Sequence, residues 1–139
     1  MLQLYLYDFS EFEQLELNEY GEFDYRYLDH YWAPDEGEAR HAFFIRVDGK
    51  RAGFALIRVV NGVNVFAEFF VMRSFRGHGV GAAAARAVFA LLAGNWLVHQ
   101  VPANVPAQAF WRRVVSELTR GNYREEVDES GVTQRFILP

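Results

Sequence analysis

A glycine-rich segment, Arg73-Ser74-Phe75-Arg76-Gly77-His78-Gly79-Val80-Gly81, holds the residues of this sequence best suited to bind an anion. Its closely spaced glycines let the backbone approach a ligand. A stretch with helical periodicity follows, and the first N–H groups of a helix lack intrahelical partners and lie at the positive end of its dipole. We expect these amides to bind phosphate, with Arg73 and Arg76 adding charge-assisted hydrogen bonds. An ordinary surface role suits Arg73 equally well.

The glycine-rich segment does not match the common nucleotide-binding motifs. No lysine followed by serine or threonine comes after the glycines, as it does in nucleoside-triphosphate loops. The two-glycine start and the βαβ setting of a dinucleotide fold are also missing. The sequence therefore predicts a different phosphate ligand.

Glu68 is a charged residue within the apolar run Ala67-Glu68-Phe69-Phe70-Val71, directly before the glycine-rich segment. A charge in such a run is costly unless it is paired or used, and burial would raise its pKa toward the working range. Glu68 is therefore a candidate for proton transfer. Two structural alternatives are an ion pair with Arg58 and a position on a hydrated face of the sheet.

Strand and helix patterns alternate along the chain. Leu2, Leu4 and Leu6 alternate as in a strand, and Ser10 with Glu13 resembles a capping box that would open one or two short helices over residues 10–33. Asp48-Gly49 and Asn61-Gly62 are hairpin turns. Strands are expected at 41–47, 51–60, 65–72, 96–101, 123–128 and 132–138, and helices at 79–93 and 107–120.

This order predicts one α/β (α+β) domain over residues 1–139, with a mixed, largely antiparallel sheet of about six to seven strands flanked by about four helices.

The charge is distributed unevenly along the chain. Residues 1–38 hold eleven acids and one arginine, a net charge of −10, so the total of −4 leaves +6 for the remainder. A polyanion bound by the later part and a cation near the earlier part would explain this asymmetry, and so would a solvated acidic helix face.

Several classes of function are disfavoured by composition. The absence of cysteine excludes disulfides, thiolate metal sites and a cysteine nucleophile. The four histidines are scattered, so no metal is predicted, and an acidic chain with a single lysine is a poor match for nucleic acid. No apolar run is long enough to span a bilayer, and the start lacks a basic leader, which predicts a cytoplasmic protein without membrane contact.

Two motifs in order resemble the GNAT superfamily of acyl-CoA-dependent N-acetyltransferases. Its signature Gln/Arg-x-x-Gly-x-Gly/Ala corresponds to Arg76-Gly77-His78-Gly79-Val80-Gly81, after a strand and before a helix. A second family pattern, Asn-x-x-Ala-x-x-Phe-Tyr, corresponds to the segment from Asn104 to Trp111. The resemblance covers nearly the whole chain and is strongest from Val65 to Trp111.

The resemblance implies acetyl-CoA as the donor, with its pantetheine arm bound by exposed backbone groups of Phe69, Phe70 and Val71 beside a splayed strand. Backbone N–H groups there would also stabilise the oxyanion. The residues implied in cofactor binding are Phe70, Val71, Arg73, Arg76, Gly77, His78, Gly79, Val80, Gly81, Ala82, Asn104, Phe110 and Trp111.

Catalysis by direct transfer to an amine requires a base, and Glu68 is our choice, with His78 and His99 behind it. Many family members place a proton-donating tyrosine where this chain has Trp111, and an indole cannot serve as that acid. Solvent or His99 are alternative donors. The loss also leaves open a CoA-binding sensor or interaction module with little activity, and the length of the donor's acyl chain is undetermined.

The acceptor implied by the resemblance is a primary amine of a small molecule or peptide. The acidic aromatic segment would recognise a cationic acceptor by charge and cation–π contacts. The residues expected there are Asp24, Tyr27, Asp29, Tyr31 and Trp32, each also compatible with a solvated helix surface. A homodimer that pairs its terminal hairpins through Tyr123 and Phe136 is a further expectation.

Overall fold

One six-stranded sheet organises the computed structural model, which describes residues 1–139. In chain order the helices and strands are α1 (Leu2–Phe9), β1 (Ala39–Val47), β2 (Lys50–Val60), β3 (Val63–Val71), α2 (Val80–Leu91), β4 (Gly94–Gln100), α3 (Val105–Thr119), β5 (Arg124–Asp128) and β6 (Gly131–Leu138). The strand order is β1-β2-β3-β4-β6-β5, and only β3 and β4 pair in parallel. The prediction of a mixed, largely antiparallel sheet is confirmed.

The hairpin turns follow from residues that tolerate positive φ. Asp48 and Gly49 have φ values of 49° and 76°, and Asn61 and Gly62 have 50° and 76°. Two successive positive φ values give the turn whose twist matches that of the flanking strands. The predicted hairpins β1–β2 and β2–β3 are therefore both present.

The two faces of the sheet are covered differently. Helices α2 and α3 pack on one face over the main core, which includes Ala85, Val88, Trp96, Val114 and Phe136. On the other face, the packed cluster is smaller and is bordered by residues of α1. Part of this second face therefore lies uncovered by any helix.

No helix has the length and apolar character needed to cross a bilayer.

β3 contains both irregularities that shape the site. Leu56 of β2 pairs with Glu68, whereas Ile57 pairs with Phe66, so Ala67 is an extra residue in a bulge. β3 pairs with β4 only from Val63 to Phe66, and its later residues pair with β2 alone. The edge of β3 that would face β4 is consequently free beyond Phe66.

The N-terminal predictions are wrong. Residues 2–9 form α1 rather than a strand, with Leu6 buried and Leu4 52% exposed. Ser10 terminates this helix, since its hydroxyl donates a hydrogen bond to the carbonyl of Tyr7, and no helix opens there. The helical structure within residues 10–33 is limited to a 3₁₀ turn, Leu28–Tyr31, and Leu17 and Phe23 form an isolated antiparallel bridge. Turn formation around Asn18, which accepts hydrogen bonds from two backbone amides, replaces the expected helix.

Candidate functional site

A groove of about 890 Å³ runs along the free end of β3 and the start of α2. One wall is α1 with the turn that follows it, and the other is the start of α3. The structure brings together in its lining all the predicted cofactor residues except His78: Phe70, Val71, Arg73, Arg76, Gly77, Gly79, Val80, Gly81, Ala82, Asn104, Phe110 and Trp111.

The N-terminus of α2 offers unpaired amides to this groove. Gly77 and Gly79 have φ values of 80° and 78°, a left-handed conformation that costs other residues strain. No side chain caps the helix, and its first backbone hydrogen bond is donated by Ala83 to the Gly79 carbonyl. The preceding amides, from Val80 to Ala82, have no acceptor within the protein. Unpaired amides at a helix N-terminus are suited to bind an anion.

Both arginines of the glycine-rich segment are held by Asp8 of α1. Arg73 donates two hydrogen bonds to one carboxylate oxygen, at 2.6 and 2.8 Å, and Arg76 donates one to the other oxygen at 2.6 Å. Arg76 also donates to the Val71 carbonyl at 2.6 Å, which ties the segment to the end of β3. Although partial burial of Asp8 raises its pKa, these bonds bring the pKa below its ordinary value.

Aromatic rings form the floor of the groove near α3. Phe69 and Phe110 stack with centroids 5.8 Å apart, and Trp111 contacts both rings. Trp111 is 5% exposed and belongs to the main core, so it combines a packing role with a place in the groove lining. The side-chain oxygen of Asn104 caps α3 by accepting from the Ala107 amide at 3.2 Å.

Glu68 is held by two tyrosines rather than by Arg58. The hydroxyls of Tyr5 and Tyr25 donate to its two carboxylate oxygens, the second at 3.1 Å. Burial raises the pKa of the Glu68 carboxyl above its ordinary value, while the two hydrogen bonds oppose the rise. Burial and the nearby carboxylate raise the pKa of both tyrosines, so both are neutral phenols in the resting site.

Glu68 stands between the groove and a second cavity. This cavity, of about 540 Å³, lies on the open part of the sheet face, and Glu68 and Tyr25 line it. Tyr5 lines the groove instead. The carboxylate thus contacts one side chain from each compartment, which places a proton acceptor at their junction.

The predicted acceptor residues separate into two groups. Tyr27 and Tyr31 line the second cavity, whereas Asp24, Asp29 and Trp32 do not. Asp24 accepts a hydrogen bond from Asn18, and Trp32 is 70% exposed.

Sequence reasoning missed several residues of both compartments. Tyr5 and Asp8 belong to a segment that was expected to be a strand, and Arg113 belongs to no motif recognised in the sequence. The arginines of the second cavity, Arg40, Arg58 and Arg135, lie on three different strands, and only the strand register brings them together.

Three other residues named in the sequence analysis lie outside the groove lining. His78 is exposed, and its Nδ1 lies 2.9 Å from the Arg76 carbonyl. His99 is exposed and lines the second cavity, and both of its ring nitrogens are hydrogen bonded, to Thr133 and Ser130. Phe136 is 5% exposed within the main core, so its side chain offers little surface for the expected contact between terminal hairpins.

A third grouping was not visible in the sequence. Ligand atoms of His30, Asp35 and Glu38 lie within 4.8 Å of one another. Asp35 and Glu38 are exposed, and Glu38 forms an ion pair with Arg40 at 3.2 Å. These contacts describe a charged surface turn.

Comparison with known proteins gives a consistent result. The sequence profile described as "Acetyltransferase (GNAT) family" matches residues 4–115. An acetyltransferase from Thermus thermophilus superposes with a TM-score of 0.57 at 16% identity, covering 78% of this chain and 68% of that protein. A protein assigned to the GNAT family from Bacteroides thetaiotaomicron gives 0.55 at 16% identity, covering 95% and 80%. No curated protein matches the sequence significantly.

Proposed function

Because this chain belongs to the GNAT acetyltransferase family, we propose that it transfers an acetyl group from acetyl-CoA directly to a primary amine of a small molecule or peptide. The observation that carries the proposal is the set of unpaired amides at the start of α2, which opens onto the groove beside the free edge of β3. A pyrophosphate on those amides leaves the pantetheine arm to lie along Phe70 and Val71.

The residues of the groove fit this donor chemically. Phosphate oxygens would accept hydrogen bonds from the free amides of α2, and Arg73, Arg76 and Arg113 supply positive charge on the same lining. Arg113 is exposed and forms no ion pair. Phe69 and Phe110 provide an apolar surface for the methylene groups of the arm.

Glu68 is the proposed general base, since it is the acidic side chain that lines the second cavity. The ammonium first loses one proton to solvent, and Glu68 accepts the second proton from the nitrogen as the neutral amine attacks, directly or through water. Donor binding supplies a thioester, whose carbonyl carbon forms the new C–N bond as the C–S bond breaks. The raised pKa of Glu68 brings its basicity closer to neutral pH.

Tyr5 is the proposed proton donor to the departing sulfur, in the role that Trp111 is unable to fill. Its hydroxyl contacts Glu68 and its side chain lines the groove. As Tyr5 passes its proton to sulfur, the protonated Glu68 returns one to Tyr5. The relay therefore ends with a free thiol, a neutral phenol and an ionised carboxylate, which is the starting state of both residues.

Calorimetric titration with acetyl-CoA, combined with a thiol-release assay over a panel of amines, tests the proposal. Gly79→Glu introduces a carboxylate at the helix terminus and is expected to abolish binding. Gly121→Glu is the matched control, because Gly121 has a similar φ of 81° and open space around it but lies outside the groove. The control should bind acetyl-CoA as the unmodified protein does.

Two outcomes count against acetyl transfer. Failure of the unmodified protein to bind acetyl-CoA would remove the basis of the proposal. Tight binding without amine-dependent thiol release would favour the CoA-binding sensor module, the alternative that Trp111 makes worth testing.

A further inference from the structure

The second cavity, which the proposed function assigns to the acceptor, carries a charge pattern of its own. We propose that it binds an amine that also bears an acid group, a carboxylate or a phosphate, with the acid on Arg58 and its neighbouring arginines and the amine at Glu68. This inference rests on the proposed acetyl transfer and names its substrate class. It replaces the cationic acceptor that the acidic N-terminal segment suggested.

The arginines lie in one row across the sheet. The register pairs Arg40 with Arg58, Arg58 with Val65, Val65 with Leu97 and Leu97 with Arg135. Directly paired residues project from the same face. All five line the cavity, so the row forms its floor, with cationic side chains on either side of an apolar centre.

This arrangement is unfavourable without a ligand. Arg40 and Arg58 are direct cross-strand neighbours, and like charges in such positions repel each other. Arg40 is paired with Glu38 at 3.2 Å and Arg135 with Glu126 at 3.6 Å, but no acidic side chain is paired with Arg58. An anion above Arg58 would relieve the repulsion and satisfy the free guanidinium.

A buried hydroxyl points to the same ligand. Tyr31 is 9% exposed and lines the cavity, and its hydroxyl is buried without a hydrogen-bond partner. The guanidinium carbon of Arg40 lies 5.1 Å from the Tyr31 ring centroid, yet no hydrogen bond of acceptable geometry joins the two side chains. Buried polar groups are normally satisfied, so a ligand oxygen is the expected partner of this hydroxyl.

The position of Glu68 fixes the orientation of the acceptor. Glu68 pairs with Leu56, two residues before Arg58 on β2, and both charged side chains line the cavity. Two residues of strand separate the positions by about 7 Å. An acceptor with an ammonium and an acid group can therefore reach both charges at once. A diamine would place its second cation against the arginine row.

Matched amines that differ only in the acid group test this inference. The probes are propylamine, β-alanine, 2-aminoethyl phosphate and 1,4-diaminobutane, compared by kcat/KM for thiol release at saturating acetyl-CoA. We expect one or both acid-bearing amines to exceed propylamine and the diamine by at least about 10-fold. Arg58→Gln should lower kcat/KM for the preferred acid by about 10- to 100-fold, a much larger loss than it causes for propylamine, and Arg58→Lys should recover part of the loss.

Arg51→Gln is the control, because Arg51 lies on the same strand and is exposed, but contacts Phe44 outside the cavity. Arg51→Gln should leave kcat/KM unchanged for every amine in the panel. Thermal unfolding of Arg58→Gln should show no loss of stability, since the substitution removes repulsion with Arg40.

The results separate the two proposals. Equal or better transfer to propylamine or the diamine would overturn the acid-bearing acceptor while keeping acetyl transfer. If no amine releases thiol, calorimetry with β-alanine and 2-aminoethyl phosphate in the presence of CoA tests whether the cavity binds an acid-bearing amine at all. Arg58-dependent binding would keep the acid site and count against acetyl transfer, and no binding of either acid would overturn the inference.

Discussion

Glu68 receives hydrogen bonds from hydroxyls of two separate segments, Tyr5 from α1 and Tyr25 from the loop that follows it. Both bonds stabilise the ionised carboxylate, whereas burial stabilises the protonated form. The balance between them sets the pKa of Glu68, and with it the pH range in which the proposed base is ionised. The two tyrosines differ in a useful way, because only Tyr5 lines the groove.

Tyr5→Phe and Tyr25→Phe form a matched pair that separates proton donation from support of Glu68. Each removes one hydrogen bond to the carboxylate, so each should raise the pKa of Glu68 and move the acidic limb of the kcat/KM profile to higher pH. Tyr5→Phe should in addition lower kcat by about 100-fold at the pH optimum, because sulfur loses its proton donor. Equal kcat values in both variants would contradict the role of Tyr5.

Gly53 of β2 supports the groove through its missing side chain. A Cβ atom there would lie 1.9 Å from the carbonyl oxygen of Phe70, on the strand that carries the free edge. Gly131 provides the same constraint elsewhere, since its Cβ would lie 1.9 Å from the Gln100 carbonyl oxygen. Backbone position at the end of β3 thus depends on a glycine in the neighbouring strand.

Gly53→Ala should lower both stability and donor affinity. Relieving the clash requires a backbone shift, which we expect to cost about 1–3 kcal/mol of the free energy of unfolding and to weaken acetyl-CoA binding by about 10-fold. Gly131→Ala should destabilise the protein at least as much, because its φ of 130° adds strain to the clash, but should leave acetyl-CoA affinity unchanged. Chemical denaturation and calorimetry measure the two effects. Equal affinity in both variants would show that the Phe70 backbone does not contribute to binding.

The strands and the last two helices were predictable because their signals are local. Asp48-Gly49 and Asn61-Gly62 specify turns through positive φ, and glycines limit α2. α1 was not predictable, since Leu2, Tyr5 and Leu6 satisfy a helical period as well as an alternating one in so short a segment. The helical conformation is favoured over the extended one by packing of Tyr5 against Phe54 and Phe70, which lie far away in sequence.

The candidate site divides in the same way. The glycine-rich segment and Asn104 were visible because they form ordered motifs. Tyr5, Asp8 and the arginine row were not, since each depends on a long-range contact or on strand register. Register brings Arg40, Arg58 and Arg135 into one line, and no single strand reveals it.

The acidic N-terminal segment contacts the basic remainder of the chain at Asp8. This residue of the acidic segment neutralises Arg73 and Arg76 of the basic remainder, and all three line the groove. Donor phosphates bound as proposed would therefore compete with the Asp8 carboxylate for the same guanidinium groups. The contact links the position of α1 to the state of the donor site.

Asp8→Asn should raise acetyl-CoA affinity by about 3- to 10-fold and lower the free energy of unfolding by about 1–2 kcal/mol at neutral pH. The pKa of Asp8 is lower in the folded protein, so its contribution to stability is present above its unfolded pKa and is lost as pH falls through the folded one. The difference in stability from the unmodified protein should therefore vanish in acid.

Glu11→Gln provides the comparison for Asp8→Asn, because Glu11 also lines the groove but accepts no hydrogen bond from an arginine. It should change affinity less than twofold. Unchanged or weaker binding by Asp8→Asn would argue against competition between the carboxylate and the donor.

The bulge at Ala67 also affects how this chain is compared with others. Without the extra residue, a strand would place its equivalent of Glu68 immediately after its equivalent of Phe66 and still direct it to the same face. A gapless alignment would then match that carboxylate to Ala67 and score the base as missing. Equivalence at this position is defined by the partner across the sheet, Leu56, rather than by the count of residues along the chain.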